Sequence, residues 1–175
     1  MSLKSLIRTI PDYPKPGVQF RDITSLLENA KGLRLAVEGL AEPFRGDRVE
    51  KVAGIEARGF LFGVSTAISL DAGFVPIRKA GKLPGATIGR EYQLEYGSDR
   101  VEVHANAIAA GERVLIVDDL IATGGTVVAT IELLEGIGAE IVGCAFVIDL
   151  PDLGGSQRIE TDGRRVVSLC SFEGE

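Results

Sequence analysis

The amino-acid sequence predicts an α/β protein with a mostly parallel sheet flanked by helices, and three observations carry that reading. Short apolar runs of strand length recur at 49–54, 74–78, 113–118, 140–148 and 166–170. Segments of helical character stand between several of them, at 60–71 and 124–136. The run Val114–Val117 is apolar at every position, as a strand covered on both faces must be. In such sheets ligands collect outside the carboxyl ends of the strands, so the residues that follow each run are where chemistry is expected.

From the N-terminus, residues 2–10 have the pattern of a short amphipathic helix, stopped by Pro11, Pro14 and Pro16. Gly17 permits a turn into VQFRDIT. Residues 25–44 are helix-like, with Leu26, Leu27, Leu33, Val37, Leu40, Ala41 and Phe44 recurring on one side. Strand 49–54, helix 60–71 and strand 74–78 follow. Residues 79–100 are glycine-rich and polar, and Tyr92, Leu94 and Tyr96 alternate near their end. That stretch suits a hairpin or a mobile lid, because a compact domain rarely keeps such a segment without use. Strand 101–104, helix 105–110, strand 113–118, helix 124–136, strand 140–148 and strand 166–170 complete the order.

The chain has 175 residues, which suits one domain with a sizeable core. No repeat, low-complexity tract or linker divides it, so residues 1–175 are read as a single domain with 79–100 as a lid insertion. No apolar run approaches a membrane span, and the N-terminal stretch lacks the h-region of a secretory signal. Cys144 and Cys170 sit in apolar strand-like runs and read as buried free thiols, in keeping with a cytoplasmic protein. A net charge of −6 argues against a broad nucleic-acid surface. It leaves room for a small anionic ligand, which needs only a local positive pocket. The single histidine, His104, excludes a histidine-rich metal centre and reads as a packing, surface or helix-start residue.

The most informative stretch is VLIVDDLIATGGT, residues 114–126. Asp118 and Asp119 emerge where the buried strand ends. Adjacent side chains of an extended segment point opposite ways, so the two carboxylates need not share one task. Burying both unpaired is costly, which directs them toward hydroxyls, a hydrated cation or nearby bases. Ala122, Thr123, Gly124, Gly125 and Thr126 then offer small side chains, hydroxyls and free N–H groups at a helix start, where a phosphate fits. The GxxxxGK[ST] pattern of a Walker loop is absent from this stretch. An ordinary strand, turn and Thr-capped helix remains the plain alternative at this point.

The same stretch resembles the phosphoribosyl-pyrophosphate binding motif of type I phosphoribosyltransferases. Four flanking segments resemble the adenine phosphoribosyltransferases in particular: PGVQFRDIT (16–24), IEARGFLFG (55–63), RKAGKLPG (78–85) and YQLEYG (92–97). The similarity thus spans nearly the whole chain and implies the type I phosphoribosyltransferase fold. It implies that Asp118 and Asp119 serve the ribose hydroxyls and that Ala122–Thr126 wrap the 5′-phosphate. By the same resemblance, a purine stacks between Phe20 and Leu150 while backbone groups of Gln19 and Arg21 read its edge. Adenine donates from N6 and accepts at N1, and a buried edge that leaves such groups unpaired rejects other bases. Arg58, Arg78, Lys79 and Lys82 fall near the pyrophosphate end, and Glu56 and Arg90 are partner or surface residues.

Glu95 is the implied general acid/base at the purine imidazole ring, and Tyr96 an implied element of lid closure. Mg2+ is implied as a bridge between pyrophosphate and ribose oxygens, with no fixed protein ligand. The implied reaction converts adenine and 5-phosphoribosyl 1-pyrophosphate to AMP and pyrophosphate in purine salvage, performed by a homodimer. Composition alone leaves Phe20 and Leu150 as core residues, Lys79 and Lys82 as solvated lysines and Glu95 as a loop glutamate. Another purine phosphoribosyltransferase, or a non-catalytic sensor of the same fold, is the alternative function.

Overall fold

The computed structural model describes residues 2–94 and 97–174. A 3-10 turn at Leu3–Leu6 leads into β1 (Arg8–Pro11) and β2 (Gln19–Asp22), then α1 (Thr24–Leu27) and α2 (Ala30–Ala41). There follow β3 (Lys51–Ile55), α3 (Arg58–Ser69), β4 (Gly73–Lys79), β5 (Thr87–Gln93), β6 (Ser98–His104) and β7 (Arg113–Ile121). The chain closes with α4 (Gly125–Gly136), β8 (Glu140–Asp149), α5 (Gly155–Thr161) and β9 (Val166–Ser171).

Seven strands form one sheet in the order β5-β6-β4-β3-β7-β8-β9. The five strands β4, β3, β7, β8 and β9 run parallel, whereas β6 is antiparallel to β4 and β5 to β6. Along the parallel part the chain order is second, first, third, fourth, fifth. The connections leaving β3 and β7 therefore diverge, α3 to one face and α4 to the other, and a crevice opens between their carboxyl ends. β7 shows why its sequence is uniformly apolar. Val114 and Ile116 join the core beneath α4, while Leu115 and Val117 join the core beneath α2 and α3. Fully buried side chains such as Phe62 and Phe146 contribute about 2–3 kcal/mol each by leaving water.

The α/β architecture matches the sequence-based expectation, and the differences have local causes. The helix expected over 25–44 is interrupted because Asn29 accepts from the Gly32 N–H at 2.8 Å and restarts it as α2. Residues 2–10 do not form one helix. After Leu6 the chain extends into β1, which pairs antiparallel with β2. Arg8 anchors that ribbon by reaching Asp22 at 2.6 Å, a contact that no periodicity signals. No helix forms over 105–110: the segment is a turn ending at Gly111, with φ 84°, and so few residues do not repay helix nucleation. The glycine-rich stretch does contain a hairpin, β5 and β6, in register from Thr87↔His104 to Gln93↔Ser98.

Asp22 joins the ribbon to the body of the protein. It accepts from the Thr24 N–H at 2.9 Å and from the Thr24 hydroxyl, and it pairs with Arg8. The Thr24 bonds first, and Arg8 next, lower its carboxyl from the usual 3.8 to about 2. Stability from a depressed carboxyl is complete above the ordinary value and lost as the pH falls through the depressed one. Hydrogen exchange is expected to show the ribbon amides of β1 and β2 losing protection between about pH 4 and pH 2, ahead of the parallel sheet. Asp22→Asn is expected to flatten that dependence. Ribbon and sheet losing protection together in both proteins would contradict it.

Candidate active site

The site is built at the crevice between β3 and β7. β7 delivers Asp118 and Asp119 to its carboxyl end, and α3 begins beside them at Arg58. Asp119 is only 4% exposed, and its Oδ2 lies 3.0 Å from Arg58 Nε as an ion pair. That oxygen receives no aligned hydrogen bond among the described residues. The Asp119 N–H donates to Asp118 Oδ1 at 2.8 Å. The first turn of α3 comes this close because residue 59 is glycine. A Cβ there would lie 2.7 Å from Asp118 Oδ1 and 3.0 Å from the Val117 carbonyl oxygen. Burial raises the Asp118 carboxyl well above the ordinary carboxylate range, and the charge of Asp119 raises it further. Burial raises Asp119 as well, and Arg58 opposes that rise. Of the two carboxylates, Asp119 is the one that the guanidinium compensates directly.

Beyond the diacid, Ala122–Thr126 turn into α4. Gly124 adopts φ 80°, a left-handed conformation that costs glycine little. Among the described residues the N–H groups of Thr123, Gly124, Gly125, Thr126 and Val127 meet no protein acceptor. They converge with the positive end of the α4 dipole on a cavity of about 130 Å3 that Asp118 also lines. The loop is buttressed from behind by α5. The Gly155 N–H donates to the Ala122 carbonyl at 3.0 Å, and a Cβ on Gly155 would sit 2.3 Å from that oxygen. Asp149, closing β8, accepts from Ser156 at 2.9 Å and holds the first turn of α5 in place. Sequence reasoning missed this buttress. The Gly154-Gly155 pair was its only trace, in a helix whose apolar signal rests on Ile159.

A second cavity of about 370 Å3 adjoins the first and shares Leu120 and Thr123 with it. Phe20 and Leu150 line it, together with Gln19, Arg21, Arg58, Val18 and Leu153. Phe20 is braced by Tyr13 edge-on at 5.1 Å and by the Arg58 guanidinium 5.3 Å from its ring centre. Leu150 is buried at the carboxyl end of β8, its N–H on the Ile121 carbonyl. Val18 accepts from the Tyr13 N–H at 3.3 Å, and Pro11, which has no N–H, stands opposite Gln19. Strand alternation then points the polar groups of Phe20 at β1 and leaves those of Gln19 and Arg21 on the open edge of β2. The Arg21 side chain is occupied elsewhere. It donates to Thr9 Oγ1 at 2.7 Å and to the Glu173 carbonyl at 2.9 Å.

The basic residues divide. Arg78 donates to Glu56 Oε1 at 3.2 Å, and the Lys79 N–H donates to the same oxygen at 2.6 Å. Glu56 thus aligns the end of β4 beside the crevice. The Lys79 ammonium is held by Asp99 and the Tyr92 hydroxyl, and burial of Lys79 is outweighed by those bonds, so its pKa is raised. Lys82 is exposed on the loop that follows, and its carbonyl accepts from Arg78 at 3.3 Å. Arg90 pairs with Glu132 of α4 at 2.7 Å. His104 ends β6 opposite Thr87. Glu95 and Tyr96 lie outside the described residues. Among the described residues no three His, Cys, Asp or Glu side chains form a potential metal cage. Among the described residues no helix is long and apolar enough to cross a membrane.

Residues 24–167 match the family model of the phosphoribosyl transferase domain. The adenine phosphoribosyltransferase of Brucella ovis is 59% identical over 175 residues, covering 100% of this chain and 97% of that protein. The crystal structure of adenine phosphoribosyltransferase from Rhodothermus marinus is similar, with a TM-score of 0.92 and 54% identity over 97% of this chain and 96% of that one. The Saccharomyces cerevisiae enzyme, complexed with D-2,5-dideoxy-2,5-imino-altritol 1,6-bisphosphate and adenine, matches with a TM-score of 0.88 and 39% identity. That match covers 95% of this chain and 96% of the yeast chain.

The raised Asp118 carboxyl has a measurable consequence for the ligand-free protein. An acid whose pKa rises on folding binds more protons folded than unfolded, so stability declines as the pH climbs above its ordinary 3.8. Asp118→Asn removes the disfavoured charge and keeps the oxygen that accepts from Asp119. At neutral pH it is expected to raise the melting temperature of the free protein. A lower melting temperature would contradict the assignment of the strain to the ionised pair.

Proposed function

The chain belongs to the phosphoribosyltransferase family, and on that premise we infer that it transfers the 5-phosphoribosyl group of 5-phosphoribosyl 1-pyrophosphate to adenine. The products are AMP and pyrophosphate, and the reaction is a purine salvage step. The observation that carries the reading is the fusion of two unlike cavities through Leu120 and Thr123: an apolar slot beside a free backbone edge, and a nest of N–H groups beside a carboxylate. A flat base joined to a phosphorylated sugar has that same sequence of parts.

In the mechanism we propose, Ala122, Thr123, Gly124, Gly125 and Thr126 hold the 5′-phosphate, and Asp118 and Asp119 receive the ribose hydroxyls. Those hydroxyls give the buried carboxylates the hydrogen bonds that Asp119 Oδ2 lacks. Phe20 and Leu150 clamp the purine, and the open edge of β2 at Gln19 and Arg21 pairs with N1 and N6. With the base and the phosphate both held, N9 faces the anomeric carbon opposite the pyrophosphate. The C1′–O bond breaks as the C1′–N9 bond forms. Arg58, Arg78, Lys79 and Lys82 stabilise the charge that gathers on pyrophosphate. Glu95 handles the proton of the imidazole ring, and 79–100 closes as a lid over the single domain 1–175, with Tyr96 shielding the site from water.

Magnesium would be carried on substrate oxygens, and the carboxylates Asp118 and Asp119 would be the residues to accept from its waters. When bound it neutralises pyrophosphate and polarises the bond that breaks. The free thiols Cys144 and Cys170 support a cytoplasmic setting. A homodimer is supported by α3, where Leu61, Val64 and the 77%-exposed Ile68 make an outward apolar stripe, and by exposed Leu35 on α2, the helix that packs against α3.

AMP formation from adenine, phosphoribosyl pyrophosphate and magnesium is the direct assay. Adenine is expected to be consumed selectively over hypoxanthine, guanine and xanthine. Glu95→Gln is expected to lower turnover roughly 10²–10⁴-fold while substrates still bind. Turnover with an oxopurine alone would overturn the base assignment, and substrate binding without any turnover would indicate a sensor. Light scattering is expected to give twice the chain mass for the unaltered protein and a single chain mass for Ile68→Glu. An unaltered dimer in that variant would move the interface elsewhere.

A further inference from the structure

Tyr92 lies within the 79–100 segment and has no role of its own in the proposed reaction, yet three structural segments meet at its hydroxyl. It projects from β5 with its ring packed against the core beneath α4. Its oxygen accepts from Thr126 Oγ1 at 3.1 Å and from Lys79 Nζ, and it donates to Asp99 Oδ2 at 3.2 Å. A phenol has one proton to give and two lone pairs to offer, so these contacts use its full capacity. Lys79 also pairs with Asp99, and its ammonium lies 5.2 Å from the Tyr92 ring centre. A further tie between β5 and α4, Arg90 to Glu132, is about half exposed at both ends and holds little.

We propose that Tyr92 is a positioning residue that sets the distance between the two anion-binding ends of the site. Thr126 belongs to the loop assigned to the 5′-phosphate, and Lys79 to the group assigned to pyrophosphate, so the inference rests on the proposed function. One phenol fixes both donors relative to each other and to Asp99. A ligand carrying phosphate at both ends meets a site already spaced for it, and the binding energy of the second end is not spent on ordering Lys79. A ligand with one phosphate gains nothing from the spacing. The chemical class selected is therefore a sugar phosphate with a second, separate anionic group.

Titration calorimetry in magnesium, with phosphoribosyl pyrophosphate and ribose 5-phosphate as the two probes, tests this on Tyr92→Phe. The variant keeps the ring and loses the three hydrogen bonds. Phosphoribosyl pyrophosphate is expected to bind about tenfold more weakly, the equivalent of one good hydrogen bond, while ribose 5-phosphate changes by less than about threefold. Asp99→Asn loosens Lys79 with Tyr92 in place, and the same selective loss is expected there. Equal losses for both probes, which a merely structural role would cause through the loop, would overturn the proposal, as would no loss in either variant. If the unaltered protein binds neither probe and makes no AMP, the proposed function fails instead, an outcome separate from the variant comparison.

Discussion

The site depends on how closely backbone is allowed to approach the carboxyl end of β7. Two glycines grant that approach from opposite sides. Gly59 lets α3 begin against Asp118, and Gly155 lets α5 begin against the Ala122 carbonyl. With Cβ atoms 2.7 Å and 2.3 Å from those oxygens, neither packing survives. Arg58 would then withdraw from Asp119, and the loop of free N–H groups would lose its support. The divergence of the β3 and β7 connections opens the crevice, but the glycines decide that it is lined by backbone donors and carboxylates instead of by side-chain bulk.

Charge follows from this geometry. The protein as a whole carries −6, yet the crevice presents a helix N-terminus, Arg58, Arg78 and Lys79. Local positive charge of this kind can attract a small anion without a basic protein. The Asp118–Asp119 pair, the first half-buried and the second buried, runs against that trend. Its ionised form is held in a desolvated setting with one guanidinium as compensation. Such a pair is a cost to the empty protein, and in the proposed function donors from a sugar offset it.

Legibility in the sequence tracked how local each feature is. The diacid and the phosphate loop lie in one thirteen-residue run, where strand, charge and glycine signals follow in order, and the structure assembles them as that order implies. The apolar slot combines residues near 20, 58, 120 and 150, and no periodicity links them; only resemblance pointed to Phe20 and Leu150. The β1–β2 ribbon was misread because its pairing depends on Arg8 meeting Asp22, fourteen residues away, and outweighs a weak helical pattern. α5 escaped notice because a seven-residue helix burying little beyond Gly155 and Ile159 has almost no pattern to read. Tyr92 stood out as an alternating residue, but its partners come from β4, β6 and α4, and only the fold joins them.

The most direct test of the account is a crystal structure of the protein with magnesium, phosphoribosyl pyrophosphate and an unreactive adenine analogue. The 5′-phosphate is expected within hydrogen-bonding distance of the N–H groups of residues 123–127. The ribose hydroxyls are expected on Asp118 and Asp119, and the base between Phe20 and Leu150 with its edge on β2. A phosphate bound away from the α4 N-terminus, or a base outside the slot with the phosphate in place, would contradict it.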